Sequence, residues 1–337
     1  MKCRAWIVLA LVACQSKGDD KPTDKPAADP WAQGGSANAD DPPTLGERTA
    51  VANEACPAVK KPWFFSVKKD GRESHILGTR HIGVGLDKFP PIVGDTFDAS
   101  TLAVFELPPA DKAKPDFKKE PLRDELGPGD WAHFEALVGK TVARRFVNGS
   151  PMVAAMSVGT LYEDLGVMLD KQLEQRAADH HIATNGLETH AFQLDLLAKW
   201  LDLRLLKTIV EDTPDRAKVK KQSMKALSRY CDGTEHDPDI MEDVDVASLE
   251  RHGYTKQDLE ELQRTLLDDR NADWIPKLDK LFEQDHVFIA VGAAHLMGPR
   301  GVIALLKQRG YEIARIDKSG ERPARRTAEG GAKEIDK

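Results

Sequence analysis

The sequence has 337 residues and little of what would assign it quickly to a common class of protein. Its formal net charge is -7, so it lacks the basic excess that is typical of nucleic-acid-binding proteins. Its N-terminal apolar stretch, Ala5 to Ala13, is too short to cross a bilayer as a stable helix. No His-Glu-x-x-His segment occurs, which excludes the helical zinc motif of that spacing. The length allows one large domain or two small ones.

Cysteine is also scarce, and two of the four residues lie in an N-terminal targeting segment. Positive charge, a short apolar core and the segment Leu11-Val-Ala-Cys14 resemble a bacterial lipoprotein signal. We therefore predict that residues 1–13 are removed and that Cys14 is lipidated; an ordinary secretory signal with an incidental cysteine is the alternative. Gln15, in place of an aspartate, favours the outer membrane of the cell envelope, facing the periplasm.

The other two cysteines, Cys56 and Cys231, belong to the predicted mature chain. In an oxidising envelope they are expected either to form a disulfide or to remain two unpaired thiols. Residues 14–56 are rich in Lys, Asp, Pro, Ala, Gly and Ser, and this composition predicts a disordered tether. The folded domain is predicted over residues 57–318, followed by a disordered tail over 319–337.

The segment from His286 to Ile316 has the pattern of a strand, a loop, a helix and a second strand. Its first strand is a continuous apolar run, which indicates burial on both faces, and Gly292 and His295 follow it. Open α/β sheets place their ligands at such strand ends. His295 is therefore a candidate site residue, or a histidine that only caps the following helix.

A similar arrangement occurs near the start of the domain, where Gly78 is followed three residues later by His81. Glycine lets the backbone turn sharply at a strand end, so each imidazole is expected to point back over the sheet. The two Gly-x-x-His segments predict an α/β fold with a mostly parallel central sheet that brings both histidines to one edge.

Two glutamates follow further predicted strands. Glu106 ends the strand that begins at Thr101, and Glu188 follows a short strand near residues 182–187. A carboxylate between apolar residues needs a cation, a metal or hydrogen-bond donors. The alternatives are an exposed strand-end side chain for Glu106 and a favourable interaction with a helix dipole for Glu188.

Most of residues 130–285 have apolar side chains at helical spacing, interrupted by that short strand, which predicts a large helical insertion. One long helix is predicted from about His190 to Val210. A later helix carries Arg270 and Asn271 side by side. These are candidate donors to an anion or a developing oxyanion, although helix salt bridges are the common role of such residues.

These motifs, in this order, resemble those of the TraB/PrgY/GumN family, which is related to the TIKI metalloproteases and more distantly to erythromycin-esterase-like and ChaN-like proteins. The matching segments are Leu77-Gly-Thr-Arg-His81, Val104-Phe-Glu-Leu107, Gly186-Leu-Glu-Thr189, Asp269-Arg-Asn-Ala-Asp-Trp274 and Ala290-Val-Gly-Ala-Ala-His-Leu-Met-Gly298. The resemblance covers about Trp63 to Ile316. It implies an α/β core with two Gly-x-x-His loops, a glutamate and a large helical insertion. The TIKI branch implies divalent-metal-dependent peptide hydrolysis.

On this resemblance, His81, Glu106 and His295 are expected to bind one divalent metal ion. Mixed nitrogen and oxygen ligands do not decide whether that ion is Mn, Co or Zn. Glu188 is expected to be a fourth ligand or the general base, and the substrate to be a peptide or a small molecule. Two alternatives remain open: a non-catalytic envelope protein that sequesters a peptide or small ligand, and a metal-independent, esterase-like hydrolase with a histidine base.

Overall fold

One central sheet organises the domain in the computed structural model, which describes residues 41–109, 117–234 and 246–316. Its six strands are β1 (Phe64–Lys69), β2 (Arg72–Thr79), β3 (Leu102–Phe105), β4 (Ala183–Gly186), β5 (Val287–Gly292) and β6 (Glu312–Arg315), in the order β4-β3-β5-β2-β1-β6. β4, β3, β5 and β2 pair in parallel, whereas β1 pairs antiparallel with β2 and β6. The predicted α/β class with a mostly parallel sheet is confirmed.

The strand sequences explain these positions. β5 lies between two parallel neighbours and is buried along its whole length, as its unbroken apolar run predicts. β1 and β2 form a hairpin through Asp70 and Gly71, whose φ angles are 50° and 77°. Asp-Gly with both φ angles positive is the preferred two-residue hairpin turn.

The described ranges contain thirteen α-helices. They are α1 (Leu45–Ala55), α2 (Pro91–Asp98), α3 (Leu122–Val138), α4 (Lys140–Ala143), α5 (Pro151–Gly159), α6 (Leu169–Asp179), α7 (His190–Trp200), α8 (Leu203–Asp212), α9 (Arg216–Asp232), α10 (Val246–Arg251), α11 (Lys256–Gln263), α12 (Asp269–Leu281) and α13 (Val302–Gln308). The helices α3–α6 connect β3 to β4, and α7–α12 connect β4 to β5. A π-helical turn, Arg264–Asp268, joins α11 to α12.

The apolar side chains form two cores. One lies on the sheet and includes Phe64, Ile76, Val104 and Phe288. The other lies among the helices of the α3–α5, α7–α8 and α10–α11 regions, with Trp200 buried in it. The segment from the π-helical turn to α12 contacts both cores. Trp274 of α12 packs in the core on the sheet, whereas Leu266 of the π-helical turn packs in the core among the helices.

The prediction of one long helix from about His190 to Val210 is wrong. The chain forms two helices, α7 and α8, with a break at Leu201 and Asp202. The Asp202 side chain accepts hydrogen bonds from the backbone N–H groups of Arg204 and Leu205, which starts a new helix.

The predicted disordered tether also extends too far along the chain, since α1 occupies residues 45–55. Thr44 and Glu47 form a capping box at its start, and Arg48 and Val51 are buried. Cys56, at the end of this helix, forms a disulfide with Cys231 in α9, with a Cα–Cα distance of 5.7 Å.

The predicted signal segment, the lipidation site Cys14 and the tail over 319–337 lie outside the described residues. Within the described ranges, no helix is both long enough and apolar enough to cross a membrane.

Candidate functional site

The candidate site lies at the carboxyl-terminal edge of the parallel strands. β2 and β5 are neighbours, and their last residues pair in register as Thr79 with Gly292. β3 lies on the other side of β5, and β4 lies beyond β3. The segments that follow these four strands therefore leave the sheet at the same edge, which brings His81, Glu106, Glu188 and His295 together.

His81 follows β2 and is held by a carboxylate from the helical region. Its Nδ1 lies 2.7 Å from Oδ2 of Asp170, in the first turn of α6, while Thr79 donates to Oδ1 of the same carboxylate at 3.2 Å. The ring is buried, and its Nε2 has no hydrogen-bond partner. A carboxylate only accepts hydrogen bonds, so Nδ1 of His81 carries a proton.

His295 lies in a short 3₁₀ turn after β5 and is completely buried. Its Nδ1 lies 2.7 Å from Oδ1 of Asn271, and the Asn271 amide donates to the carbonyl of Arg300 at 3.0 Å. The indole of Trp274 lies against the imidazole, with 4.4 Å between ring centroids. Nε2 of His295, like that of His81, is buried without a partner.

Glu106 lies between the two histidines. Its Oε1 is 3.7 Å from Nε2 of His81 and 3.8 Å from Nε2 of His295. The same oxygen accepts a hydrogen bond of 2.7 Å from the backbone amide of Gly292. A Cβ atom at Gly292 would lie 3.1 Å from both this oxygen and Nε2 of His81. The glycine therefore leaves the space on which the three side chains converge.

The two loop glycines have a different role from the one predicted. Neither has a positive φ, so neither position needs the left-handed conformation that favours glycine. Gly78 lies within β2, where an added Cβ would come within 3.0 Å of Trp63, Leu296 and Ala293. Its role is a close approach between β2 and the turn that carries His295.

Arg270 bridges the two glutamates. Its guanidinium donates to both oxygens of Glu188, through Nε at 3.0 Å and through Nη2, and Nη2 also donates to Oε2 of Glu106 at 2.9 Å. Gln193 donates to both glutamates as well, at 3.2 Å to Glu106 and 3.0 Å to Glu188. Arg270 and Gln193 therefore join Glu188 to the oxygen of Glu106 that faces away from the hydrogen bond to Gly292.

A family model described as the TraB/PrgY/gumN family matches residues 63–315, which include all of these side chains. The chain belongs to this family. No curated protein and no solved structure matches the chain. The match begins at the residue before β1 and ends with β6, so it spans the whole sheet and the helices between its strands.

The two histidines of this TraB/PrgY/gumN domain differ in protonation. Burial alone would lower the pKa of His81, but the carboxylates of Asp170 and Glu106 outweigh burial and raise it to about 9. Burial and the charge of Arg270 lower the pKa of His295 to about 3. At neutral pH, His81 is an imidazolium and His295 a neutral imidazole with its proton on Nδ1.

The carboxyl groups respond to the same surroundings. Burial opposes the ionisation of Glu106, yet the neighbouring histidines, the Arg270 guanidinium and the Gly292 amide hold its pKa below its usual value. Burial raises the pKa of Glu188 in spite of its bonds from Arg270. Glu106 is therefore the ionised carboxylate that faces the two histidines of the TraB/PrgY/gumN site.

The side chains around Oε1 of Glu106 have the donor atoms that a divalent metal ion needs. Among the residues that the structure describes, no group of three or more His, Cys, Asp or Glu side chains is arranged to hold a metal as it stands. The chemistry of the donors nevertheless fits such an ion, because two imidazole nitrogens without hydrogen-bond partners and one ionised carboxylate oxygen face the same buried space. A metal ion at Nε2 of His81 would replace the proton that this nitrogen carries in the metal-free protein. Oxygen and nitrogen donors of this kind suit Zn, Mn or Co.

Two side chains of the site, Asp170 and Gln193, were not among the candidates from sequence. Asp170 stands in a first helical turn, where an acidic residue is common for electrostatic reasons alone, and Gln193 lies inside α7. Neither position carries a local signal that distinguishes it.

An open cavity of about 780 Å³ beside the kink in α3 includes none of the site residues.

Proposed function

We propose that this TraB/PrgY/gumN protein is a divalent-metal-dependent hydrolase of the bacterial cell envelope that acts on peptides. The observation that carries the proposal is the pair of buried Nε2 atoms, on His81 and His295, that have no hydrogen-bond partner and face Oε1 of Glu106. Leaving a buried polar atom unsatisfied costs roughly 1–3 kcal/mol, so two in one place require a reason.

In this proposal, His81, His295 and Glu106 hold the metal ion. A bound divalent ion would lower the pKa of a water molecule towards neutrality and polarise a scissile carbonyl. Arg270 keeps Glu106 ionised and fixes its second oxygen. Glu188, fixed by Arg270 and Gln193, supports that arrangement through Arg270, and burial raises the pKa of its carboxyl above the usual value.

The decisive experiment measures metal content and cleavage together. Purified protein, supplied separately with Zn²⁺, Mn²⁺ and Co²⁺, is expected to bind about one ion per chain, and the double variant His81→Ala/His295→Ala to bind none. The wild type is expected to cleave members of a peptide library, and a chelator to stop cleavage until metal is restored. Absence of metal uptake under all three supplies would refute this function, and saturable peptide binding without cleavage would favour a sequestering role.

A second candidate is metal-independent hydrolysis by the two histidines. The geometry of His295 favours it, because Asn271 holds the Nδ1 proton of this ring and the lone pair of its Nε2 faces the buried space without a hydrogen-bond partner. The same cleavage assay separates the two, since this activity would persist in excess chelator and be lost in either single histidine variant.

The envelope location rests on the proposed lipidation of Cys14. It is supported by the Cys56–Cys231 disulfide, a bond that persists in oxidising compartments such as the periplasm. Mass spectrometry of the N-terminal peptide tests it: a diacylglyceryl-modified Cys14 is expected in the wild type, and an unmodified peptide in Cys14→Ala.

A further inference from the structure

Asp170 fixes the imidazole of His81 because its carboxylate contacts both His81 and Thr79. One carboxylate oxygen contacts Nδ1 of His81 at 2.7 Å, and the other accepts the Thr79 hydroxyl at 3.2 Å. Thr79 is the last residue of β2 and is 2 % exposed, so its hydroxyl is fixed by the sheet. The carboxylate cannot rotate without losing one of these bonds, and the imidazole is therefore held in one orientation.

Asn271 holds His295 by a different chemistry. Its amide nitrogen donates to the Arg300 carbonyl, so its oxygen must face Nδ1 of His295. Because the oxygen only accepts, the Nδ1 of His295 must donate, and the lone pair of this neutral ring lies on Nε2. Trp274 packs against the ring and restricts its rotation.

We propose that Asp170 and Asn271 are the positioning residues of the site, which turn Nε2 of His81 and of His295 inward toward Glu106. Neither residue touches the space between the histidines; each acts through the ring that it holds. The orientation follows from the contacts alone, whereas its consequence for metal uptake rests on the proposed function. Outer partners of this kind typically change metal affinity about 10- to 100-fold.

The first test measures metal affinity in the full-length protein for Zn²⁺, Mn²⁺ and Co²⁺ by calorimetry. Asp170→Ala and Asn271→Leu are each expected to weaken binding about 10- to 100-fold. Thr79→Val, which removes only the hydroxyl that fixes the carboxylate, is expected to weaken binding by a smaller factor. This milder variant still tests the proposal if the larger substitutions prevent folding.

Matched controls change other contacts of the helices that carry Asp170 and Asn271. Asp98→Asn disturbs the ion pair that joins α2 to Arg176 of α6, and Asp269→Asn changes an exposed residue of α12. Both controls are expected to bind metal as the wild type does. Equal losses in the controls and in the site variants would overturn the proposal, as would Asp170→Ala and Asn271→Leu variants that are folded and bind normally.

The second test reads the imidazoles directly, without metal, by long-range ¹H–¹⁵N correlation spectra of histidine-labelled protein. Signals are assigned with His81→Gln and His295→Gln. The wild-type His295 is expected to carry its proton on Nδ1. Asn271→Leu is expected to change the His295 signals, and Asp170→Ala and Thr79→Val those of His81.

The spectra separate the two proposals. If the wild type binds none of the three metals, the metal-dependent function fails, and a selective change of each ring with its own partner still supports the positioning roles. Spectra of His81 and His295 that are unchanged in all three variants overturn the positioning roles, whatever the metal result.

Discussion

The backbone amide of Gly292 donates a 2.7 Å hydrogen bond to Oε1 of Glu106, and this bond joins two adjacent parallel strands at the centre of the site. The oxygen is the one that faces both histidines. One backbone group thus fixes the carboxylate while the missing side chain of the same residue leaves the space beside it.

Gly292→Ala is expected to fold and to lose function. The φ of −53° and ψ of 134° at this position are accessible to alanine, so no backbone strain is introduced. The new Cβ would lie 3.1 Å from Oε1 of Glu106 and from Nε2 of His81, and would push them apart. A misplacement of about 1 Å can lower activity about 100-fold, so a shift of a few tenths of an ångström is expected to lower it by a smaller factor. Thermal unfolding and peptide cleavage measured on one preparation check the expectation.

A matched control for this change is Gly310→Ala, in the turn before β6, where nothing lies within 4 Å of an added Cβ but φ is +86°. It is expected to lower stability through backbone strain and to leave cleavage intact. The Gly292→Ala result would contradict our account if stability fell while activity per folded molecule stayed normal.

Arg270→Met is expected to destabilise the fold strongly, because it leaves two buried carboxylates, Glu106 and Glu188, without their cation. Breaking a buried pair in this way costs roughly 3–5 kcal/mol. The exposed pair between Arg264 and Asp269 provides the comparison, and Arg264→Met is expected to cost at most about 1 kcal/mol. Urea unfolding measures both changes.

A double-variant cycle shows whether Arg270 acts through Glu188. Glu188→Gln removes one of the two charges, so Arg270→Met is expected to cost less in that background than in the wild type. Equal costs would show that the two side chains are energetically independent. Arg270→Lys retains the charge but cannot donate to both oxygens of Glu188 as the guanidinium does, and is expected to lie between wild type and Arg270→Met.

The strand ends could be predicted from sequence, but the partners of the histidines could not. His81, Glu106 and His295 each follow a short apolar run, a signal that lies within a few residues of the side chain. Asp170 reaches His81 across 89 positions of sequence, and this contact depends on how α6 packs against the sheet. The sequence around Asp170 does not indicate that packing, so it does not distinguish Asp170 from any other acidic residue in a first helical turn.

The errors in helix bounds have a similar cause. Apolar spacing continues through Leu201, and only the capping role of Asp202 marks the break between α7 and α8. At the start of the domain, the polar composition of the predicted tether obscured the capping box of Thr44 and Glu47. Composition averages over many residues, whereas a cap depends on a few.

The stability of the metal-free protein is expected to fall as pH rises from about 6.5 to about 9. The folded-state pKa of His81 is raised from 6.5 to about 9, so the folded state binds the proton more tightly than the unfolded chain. The stabilisation that comes from this tighter proton binding is present in full below pH 6.5 and is lost as pH rises through the pKa of the folded state. Urea unfolding in chelator across this range measures it, and His81→Gln should flatten the dependence.

His295 is expected to give the opposite dependence on the acid side. Its folded-state pKa is lowered from 6.5 to about 3, so the unfolded chain binds more protons between these values. Stability therefore rises with pH over that window. If His295→Gln left this acid dependence unchanged while His81→Gln removed it, the assignment of the neutral ring to His295 would be wrong.

Loss of the disulfide is expected to destabilise the domain without dismantling the site. Cys56 and Cys231 are separated by 175 residues, and cross-links that close long loops contribute about 2–5 kcal/mol. The double variant Cys56→Ala/Cys231→Ala should therefore unfold at lower urea concentration than the wild type, and reductant should destabilise only the wild type.

The first segment to unfold without the disulfide is expected to be α1, since an isolated helix of 11 residues is marginal in water and the disulfide joins its end to α9. Limited proteolysis should thus cut within residues 45–55 before the sheet opens, while the histidine signals of His81 and His295 stay at their wild-type positions. Simultaneous loss of those signals and of α1 would show instead that α1, α9 and the site unfold as one unit.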